Sequence, residues 1–212
     1  MLTELNDHGF TDESNDRKLA TIQAAIWEVE ALHPWPWLET SVNLTFDGVS
    51  SIPSNWATVS ANFRASIRVR DLTVGRRLSP IALEAWEDQY ASMDDLGSPF
   101  LYYFEGLNLH VWPTPDAATV VRLRFIKWSD EITLSSTATA ILIPKYFHRG
   151  LIVNGALSAL YDMEDDSELA ARFDSRQGKA LAFAQEAMFK RQYDSPDNIV
   201  ATDPDDWDRY GF

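Results

Sequence analysis

The chain contains no cysteine. That excludes a disulfide framework and a thiolate metal site, and leaves a cytosolic setting as the expectation. The opening MLTELNDHGF lacks a basic stretch followed by an apolar one, so no secretory signal is expected. No apolar run reaches the roughly 20 residues a membrane helix needs. Basic charge is scarce: 18 Lys and Arg stand against 32 Asp and Glu, for a net charge of −14. A surface of that sign repels phosphate backbones, which argues against sequence-specific DNA binding. It does not argue against a protein that surrounds DNA without gripping it. GxGxxG, Walker A, GxSxG and HExxH runs are also missing, so no nucleotide, acyl-transfer or zinc-protease motif directs the reading toward an enzyme.

What is there suffices for a substantial core. Hydrophobic residues make up 45% of 212, enough for one domain or one domain carrying an inserted second. The stretch Ile143–Met163 is the densest part. Pro144 is placed at the first helical position, where its missing N–H costs nothing. Leu151–Tyr161 is apolar or small on nearly every side, the pattern of a helix buried all round. Gly155, Ala156, Ser158 and Ala159 would let neighbouring backbones come close.

Residues 1–13 read as a weak helical start. Ser14 is the N-cap of a helix to about Leu32, with Leu19, Ile22, Ile26 and Val29 as its apolar stripe. Pro34 ends it, and Trp35-Pro36-Trp37 makes a rigid aromatic corner. The period then drops to two. Val42, Leu44 and Phe46 alternate with polar residues, and Asp47-Gly48 suggests a hairpin turn. Phe63, Ala65, Ile67 and Val69 form a second apolar phase, and Val121, Leu123 and Phe125 a later one. Ser79-Pro80 reads as N-cap and first residue of a short helix to about Tyr90. Phe100–Phe104 and Leu107–Trp112 read as strands joined at Glu105-Gly106. Asp165-x-x-Glu168 resembles a capping box, with Ser167 competing as the cap. It opens a last helix along Leu169, Phe173, Ala180, Ala184, Met188 and Arg191, ending near Tyr193 and crossing Gly178. The expected fold is therefore α+β. Residues 1–37 and 138–193 form a helical bundle, 38–137 an inserted antiparallel β domain with one short helix, and 194–212 an extended acidic tail.

Four sets of residues invite a chemical reading. His148 is the one histidine placed near a helix start, and without a partner constellation it reads as a residue bonding nearby backbone or a side chain. Asp162, Glu164, Asp165, Asp166 and Glu168 could suggest calcium. An EF-hand counted from Asp162 needs glycine and glutamate where Ser167 and Phe173 stand, so an acidic interhelical turn is the better reading. Trp35, Trp37 and Trp112, from a total of eight tryptophans, either wedge the packing or stack on sugars as a carbohydrate-binding module would. Arg64, Arg68, Arg70, Arg122 and Arg124 lie on the polar phases of two strands. If those strands are neighbours, the arginines form either an ordinary solvated face or a match for an acidic surface at a subunit interface, such as the tail of a neighbouring subunit. The tail, Asp194–Phe212, holds six aspartates against Arg209. It also keeps Ile199, Val200, Trp207, Tyr210 and Phe212, which with Asp194 are candidate partner-binding anchors.

Several short segments in order resemble the head-to-tail connector (adaptor, gatekeeper-like) proteins of tailed bacteriophages. They are Ala31-Leu32-His33-Pro34-Trp35-Pro36-Trp37, then Ile52-Pro53-Ser54-Asn55-Trp56, then Gly97-Ser98-Pro99 entering the hairpin that ends at Trp112-Pro113-Thr114-Pro115-Asp116. Ile143-Pro144 with His148 follows, then Ala156–Tyr161, an acidic turn and Ala170–Phe173. The resemblance covers about residues 14–192; the loop Asp71–Leu78 and the chain after Tyr193 stand outside it. It implies no catalytic site, no cofactor and no metal. It implies a homo-oligomeric ring, usually a dodecamer, that binds the portal protein below the capsid and meets tail or further neck proteins. Genomic DNA would pass through without specific binding. The protein would sit in the virion neck, after assembly in the host cytoplasm, with no membrane partner.

Overall fold

The computed structural model describes residues 1–93, 95–135 and 141–194, with 189–194 described by backbone alone. The fold is α+β, and the chain divides into two compact units, Met1–Trp37 with Glu131–Phe212, and Leu38–Asp130.

In the first unit, α1 (Leu2–Asp7) is tied to α2 (Asn15–Leu32) by the buried Lys18, whose Nζ donates to Asn6 Oδ1 at 2.8 Å. Ser14 caps α2, its Oγ accepting the Arg17 N–H, and Ile22, Ile26 and Val29 are buried along the expected stripe. The aromatic corner closes on itself: Trp35 and Trp37 stack at 4.4 Å and 13°, and Trp35 Nε1 donates to Val29 O at 2.6 Å. Gln23 Oε1 accepts the Ile132 N–H at 2.7 Å, which ties the stretch after Asp130 to α2.

The central stretch is not one regular α-helix. Pro144 precedes the helical residues as N-cap, with ψ 137°, rather than taking the first helical position. A 3-10 turn (Lys145–Phe147) leads into a π-helical segment (His148–Val153) and then α5 (Asn154–Met163). A π segment shifts the backbone ladder by one residue and frees carbonyls at its end. Two side chains take them: Asn154 Nδ2 donates to Gly150 O at 3.1 Å, and Gln177 Nε2 to Leu151 O at 3.0 Å. Gln177 belongs to α6 (Ser167–Asp194), which covers α5. The cap of α6 is neither Asp165 nor Ser167 but Asp166, whose Oδ1 accepts the Leu169 N–H at 3.0 Å. Asp165 instead turns the chain in the left-handed region, with φ 61°.

The second unit is built on a six-strand sheet in the order β1-β6-β2-β3-β4-β5. The strands are β1 (Glu39–Phe46), β2 (Phe63–Asp71), β3 (Arg77–Pro80), β4 (Leu101–Glu105), β5 (Asn108–Trp112) and β6 (Thr119–Lys127). Every pairing is antiparallel except β3–β4, which is parallel. Two short helices, α3 (Ala57–Ser60) and α4 (Leu83–Gln89), accompany it. Leu44, Phe46, Val69, Leu109, Val111, Val121, Leu123 and Phe125 form its core with Trp56 and Tyr102.

Three local expectations are corrected. Asp47-Gly48 turns the chain, with Asp47 Oδ1 accepting the Val49 and Ser50 N–H groups, but it joins no hairpin, because β1 pairs with β6. Ser79-Pro80 ends strand β3 rather than opening a helix. The N–H groups of Ser79 and Ile81 donate to Phe100 O, just before β4, and to Tyr102 O of β4 at 2.9 and 3.0 Å, so the donor that proline lacks is not one this ladder uses. The β4–β5 hairpin pairs Glu105 with Asn108, which moves its turn to Gly106-Leu107, where Gly106 takes φ 58°.

The sheet curls, and the loop after β1 seals it. On the β1 edge, Ser54 N–H donates to Thr45 O, Asn55 Oδ1 accepts the Thr45 N–H at 3.1 Å, and Asn55 Nδ2 donates to Asn43 O at 2.9 Å. On the β5 edge, Ser51 O accepts the Val111 N–H at 3.0 Å, and Trp56 Nε1 donates to Leu107 O at 2.7 Å. Both outer strands thus have some edge groups covered by one segment, which blocks part of the usual template for edge-to-edge pairing.

Candidate functional site

The arginines come together because β2 and β6 are neighbours. Arg68 stands directly opposite Arg124, and Arg70 opposite Arg122. Residues directly opposite share a face, and the next phase of β6, Val121, Leu123 and Phe125, fills the core, so these arginines lie on the outer face. Arg77 of β3 pairs with Arg70 and extends the row. Sequence reasoning missed Arg77, since β3 is four residues long and has no alternation of its own. Arg64 does not join. β2 carries register shifts between Phe63 and Ala65 and between Ser66 and Arg68. Each inserts a residue and reverses which face the following side chains take. Ser66 is turned inward to Tyr102 (Oγ to OH, 3.3 Å), Ala65 is exposed rather than apolar and inward, and Arg64 lies over the Trp128 indole at 4.6 Å.

The charges on this face are unevenly matched. Arg124 is ion-paired with Glu39 of β1, with Nε at 3.1 Å from Oε2. Arg122 Nε donates to the neutral Asn43 Oδ1 at 3.3 Å and Arg70 Nη2 to Gly75 O at 3.2 Å. Like charges directly opposite in a sheet are destabilising. The ordinary solvated face with cross-strand acids therefore describes Arg124 and does not describe the Arg77–Arg70–Arg122 row.

Of the two readings open to Trp35, Trp37 and Trp112, packing and sugar stacking, the structure fits packing. Trp35 and Trp112 are 2% and 8% exposed, and the half-buried Trp37 stacks on Trp35 with Phe147 tilted against it. Trp112 is closed in by Tyr90 and Phe100. No shallow aromatic groove forms from these three. His148 Nε2 lies 2.7 Å from Ile143 O, a local backbone contact at the helix start. Among the described residues no group of acids, histidines or cysteines could hold a metal ion, and no helix is long and apolar enough to cross a membrane.

One constellation is visible only in the structure. Ser51 Oγ lies 3.0 Å from His110 Nδ1, and His110 Nε2 lies 3.5 Å from Glu105 Oε2. A hydroxyl, an imidazole and a carboxylate in line are the parts of an activated nucleophile. Here Glu105 is largely in solvent, and the imidazole is stacked on Tyr103 at 5.0 Å and 12°. The group pins the sealing loop onto β5. Burial pushes the pKa of His110 below the ordinary histidine value, against an opposing pull from Glu105.

A family model described as SU10 adaptor protein matches residues 2–207 of the chain. The chain belongs to the SU10 adaptor protein family. This is a family of phage head-to-tail adaptors, structural rather than enzymatic, and membership makes the chain a virion component. No curated protein matches it. The SU10 adaptor match extends to residue 207, over most of the acidic segment. The tail anchors Ile199, Val200, Trp207, Tyr210 and Phe212, and the side chain of Asp194, lie outside the described residues.

Proposed function

We propose that this adaptor forms a homo-oligomeric ring that binds the portal protein below the capsid, lines the DNA passage and offers the platform to which tail or further neck proteins attach. The observation that carries this is the adaptor family match over residues 2–207. The charge supports it: with 14 more acids than bases, the chain neutralises few phosphates, and DNA slides past such a surface more readily than it binds. The sheet supports it too. With edge groups of both outer strands partly covered, contact with a neighbour falls mainly to side-chain faces, and the arginine row Arg77–Arg70–Arg122 suits an acidic neighbour. In this reading the acidic segment Asp194–Phe212 orders on a partner, and the ring, assembled in the host cytoplasm, ends in the virion neck.

The test is to mix the full chain with purified portal assemblies and measure mass and negative-stain images. Ring-shaped density added to the portal is the expected result. A chain that neither forms rings alone nor binds portal assemblies overturns the reading.

A further inference from the structure

We propose that the row Arg77–Arg70–Arg122 receives the acidic C-terminal segment, Asp194–Phe212, of a second copy of this chain. This rests on the adaptor-ring reading and assigns one of its contacts. The three residues occupy paired positions on three adjacent strands, β3, β2 and β6, spaced about 4.8 Å apart. All three are exposed, and among the described residues none of them is ion-paired. Arg70 and Arg122 are held by a backbone carbonyl and an asparagine oxygen, which orient the guanidinium groups without neutralising them. Three uncompensated positive charges in contact order stand out on a chain of net charge −14.

The occupant follows from charge and chemistry. Asp203, Asp205, Asp206 and Asp208 concentrate carboxylates within six residues, and carboxylate–guanidinium bonds are the strong, charge-assisted kind. Trp207 and Tyr210 stand among and beside them, and guanidinium planes stack on such rings. Residues 195–212 can reach up to about 60 Å if extended. The receptor and the ligand are two different patches of one chain. Complementary but non-identical patches give head-to-tail contacts, which close into a ring when the rotation allows. A second copy is therefore the occupant that makes the contact useful to a ring.

The absence of native cysteine makes the test clean, because one introduced thiol takes the only label. One batch of the full chain carries S41C, beside the row, since Ser41 is exposed and pairs with Arg124. A second batch carries G211C in the acidic segment. The two are labelled as donor and acceptor and mixed at high concentration in low salt. Energy transfer between chains is expected. It should weaken at least about tenfold in apparent affinity with R70E/R122E in the first batch, and in about 1 M salt, where the Debye length is about 3 Å. D205R/D206R in the second batch should restore transfer to the reversed row. Far-ultraviolet circular dichroism of R70E/R122E should match the parent. No transfer on mixing, or transfer indifferent to both charge reversals, overturns the proposal. The ring reading is judged separately by mass on portal assemblies. Rings formed by R70E/R122E as readily as by the parent sink this contact alone, whereas a parent chain that never joins the portal sinks the reading beneath it.

Discussion

Gly155 offers the sharpest test of how the helical unit is packed, because its effect on stability should change sign with one neighbour. It lies in α5, and a Cβ built there falls 2.4 Å from Gln177 Nε2, 3.0 Å from Gln177 Cδ and 3.2 Å from Ala25 Cβ. On an isolated helix, Gly155→Ala should gain about 1 kcal/mol from helix propensity. In the folded chain the Gln177 side chain must move, and its bond to Leu151 O goes with it. Leu151 is fully buried, so its freed π-segment carbonyl is left without a partner, at a cost of about 1–3 kcal/mol. The net for G155A runs from about neutral to about 2 kcal/mol destabilising. Q177A alone should cost about 1–3 kcal/mol for the same carbonyl. Once Gln177 is gone, the two nearest of those atoms go with it and Ala25 Cβ stays at 3.2 Å, so adding G155A to Q177A should recover most of the about 1 kcal/mol of propensity. The coupling energy of the cycle is then about 1–3 kcal/mol. Urea unfolding followed by far-ultraviolet circular dichroism reads it. At a slope of about 2 kcal/mol per M, Q177A alone moves the midpoint down by about 0.5–1.5 M, and adding G155A to it moves it back by about 0.5 M. Equal stabilisation by G155A in both backgrounds would refute the claim that Gln177 and the glycine share one space.

Three further outcomes are expected. Gly178, in α6, is exposed with no atom near its would-be Cβ, so Gly178→Ala should stabilise by about 1 kcal/mol in the same assay; no change would mean the helix frays there. Asn55→Ala removes the side chain that covers Asn43 and Thr45, and should cost about 1 kcal/mol and raise self-association on light scattering, unlike Asn55→Asp, which retains an acceptor for Thr45 N–H. His110 titrates below the usual value near 6.5 because burial disfavours its charged form. The unfolded chain therefore takes up a proton first as pH falls. Stability is full above about 6.5 and declines as pH drops toward the folded-state pKa. NMR titration should place His110 below the ordinary histidine value, and His110→Gln should flatten that part of the stability profile. A pKa at or above the ordinary value would contradict this.

Much of the fold was legible because local chemistry decides it. The Ser14 cap, the Ile22–Ile26–Val29 stripe, the alternation of β1 and β6, and the long last helix each depend on neighbours in sequence, and each appears where its pattern lies. The errors fall where a partner distant in sequence overrides the local preference. Ser79-Pro80 has the chemistry of a helix start, yet β4 offers a parallel ladder that uses the flanking N–H groups. Asp166 takes the cap that Asp165 and Ser167 seemed to offer, because Asp165 is consumed by a left-handed turn.

The candidate site divides the same way. Sequence by itself determined that the chain is acidic, free of thiols, lacking the common catalytic motifs, and ordered like a phage adaptor, since charge, composition and punctuation are carried residue by residue. It also placed arginines on two strands. Only the tertiary structure decided that those strands are neighbours, that Arg64 falls at a bulge of β2 and leaves the row, and that Arg77 joins it. The same holds for the loop 47–56, whose Ile-Pro-Ser-Asn-Trp run looks like punctuation but covers part of both edges of the sheet. Register and edge cover are properties of pairs of segments. A one-residue shift reverses every later side chain, and no single segment records which shift its partner imposes.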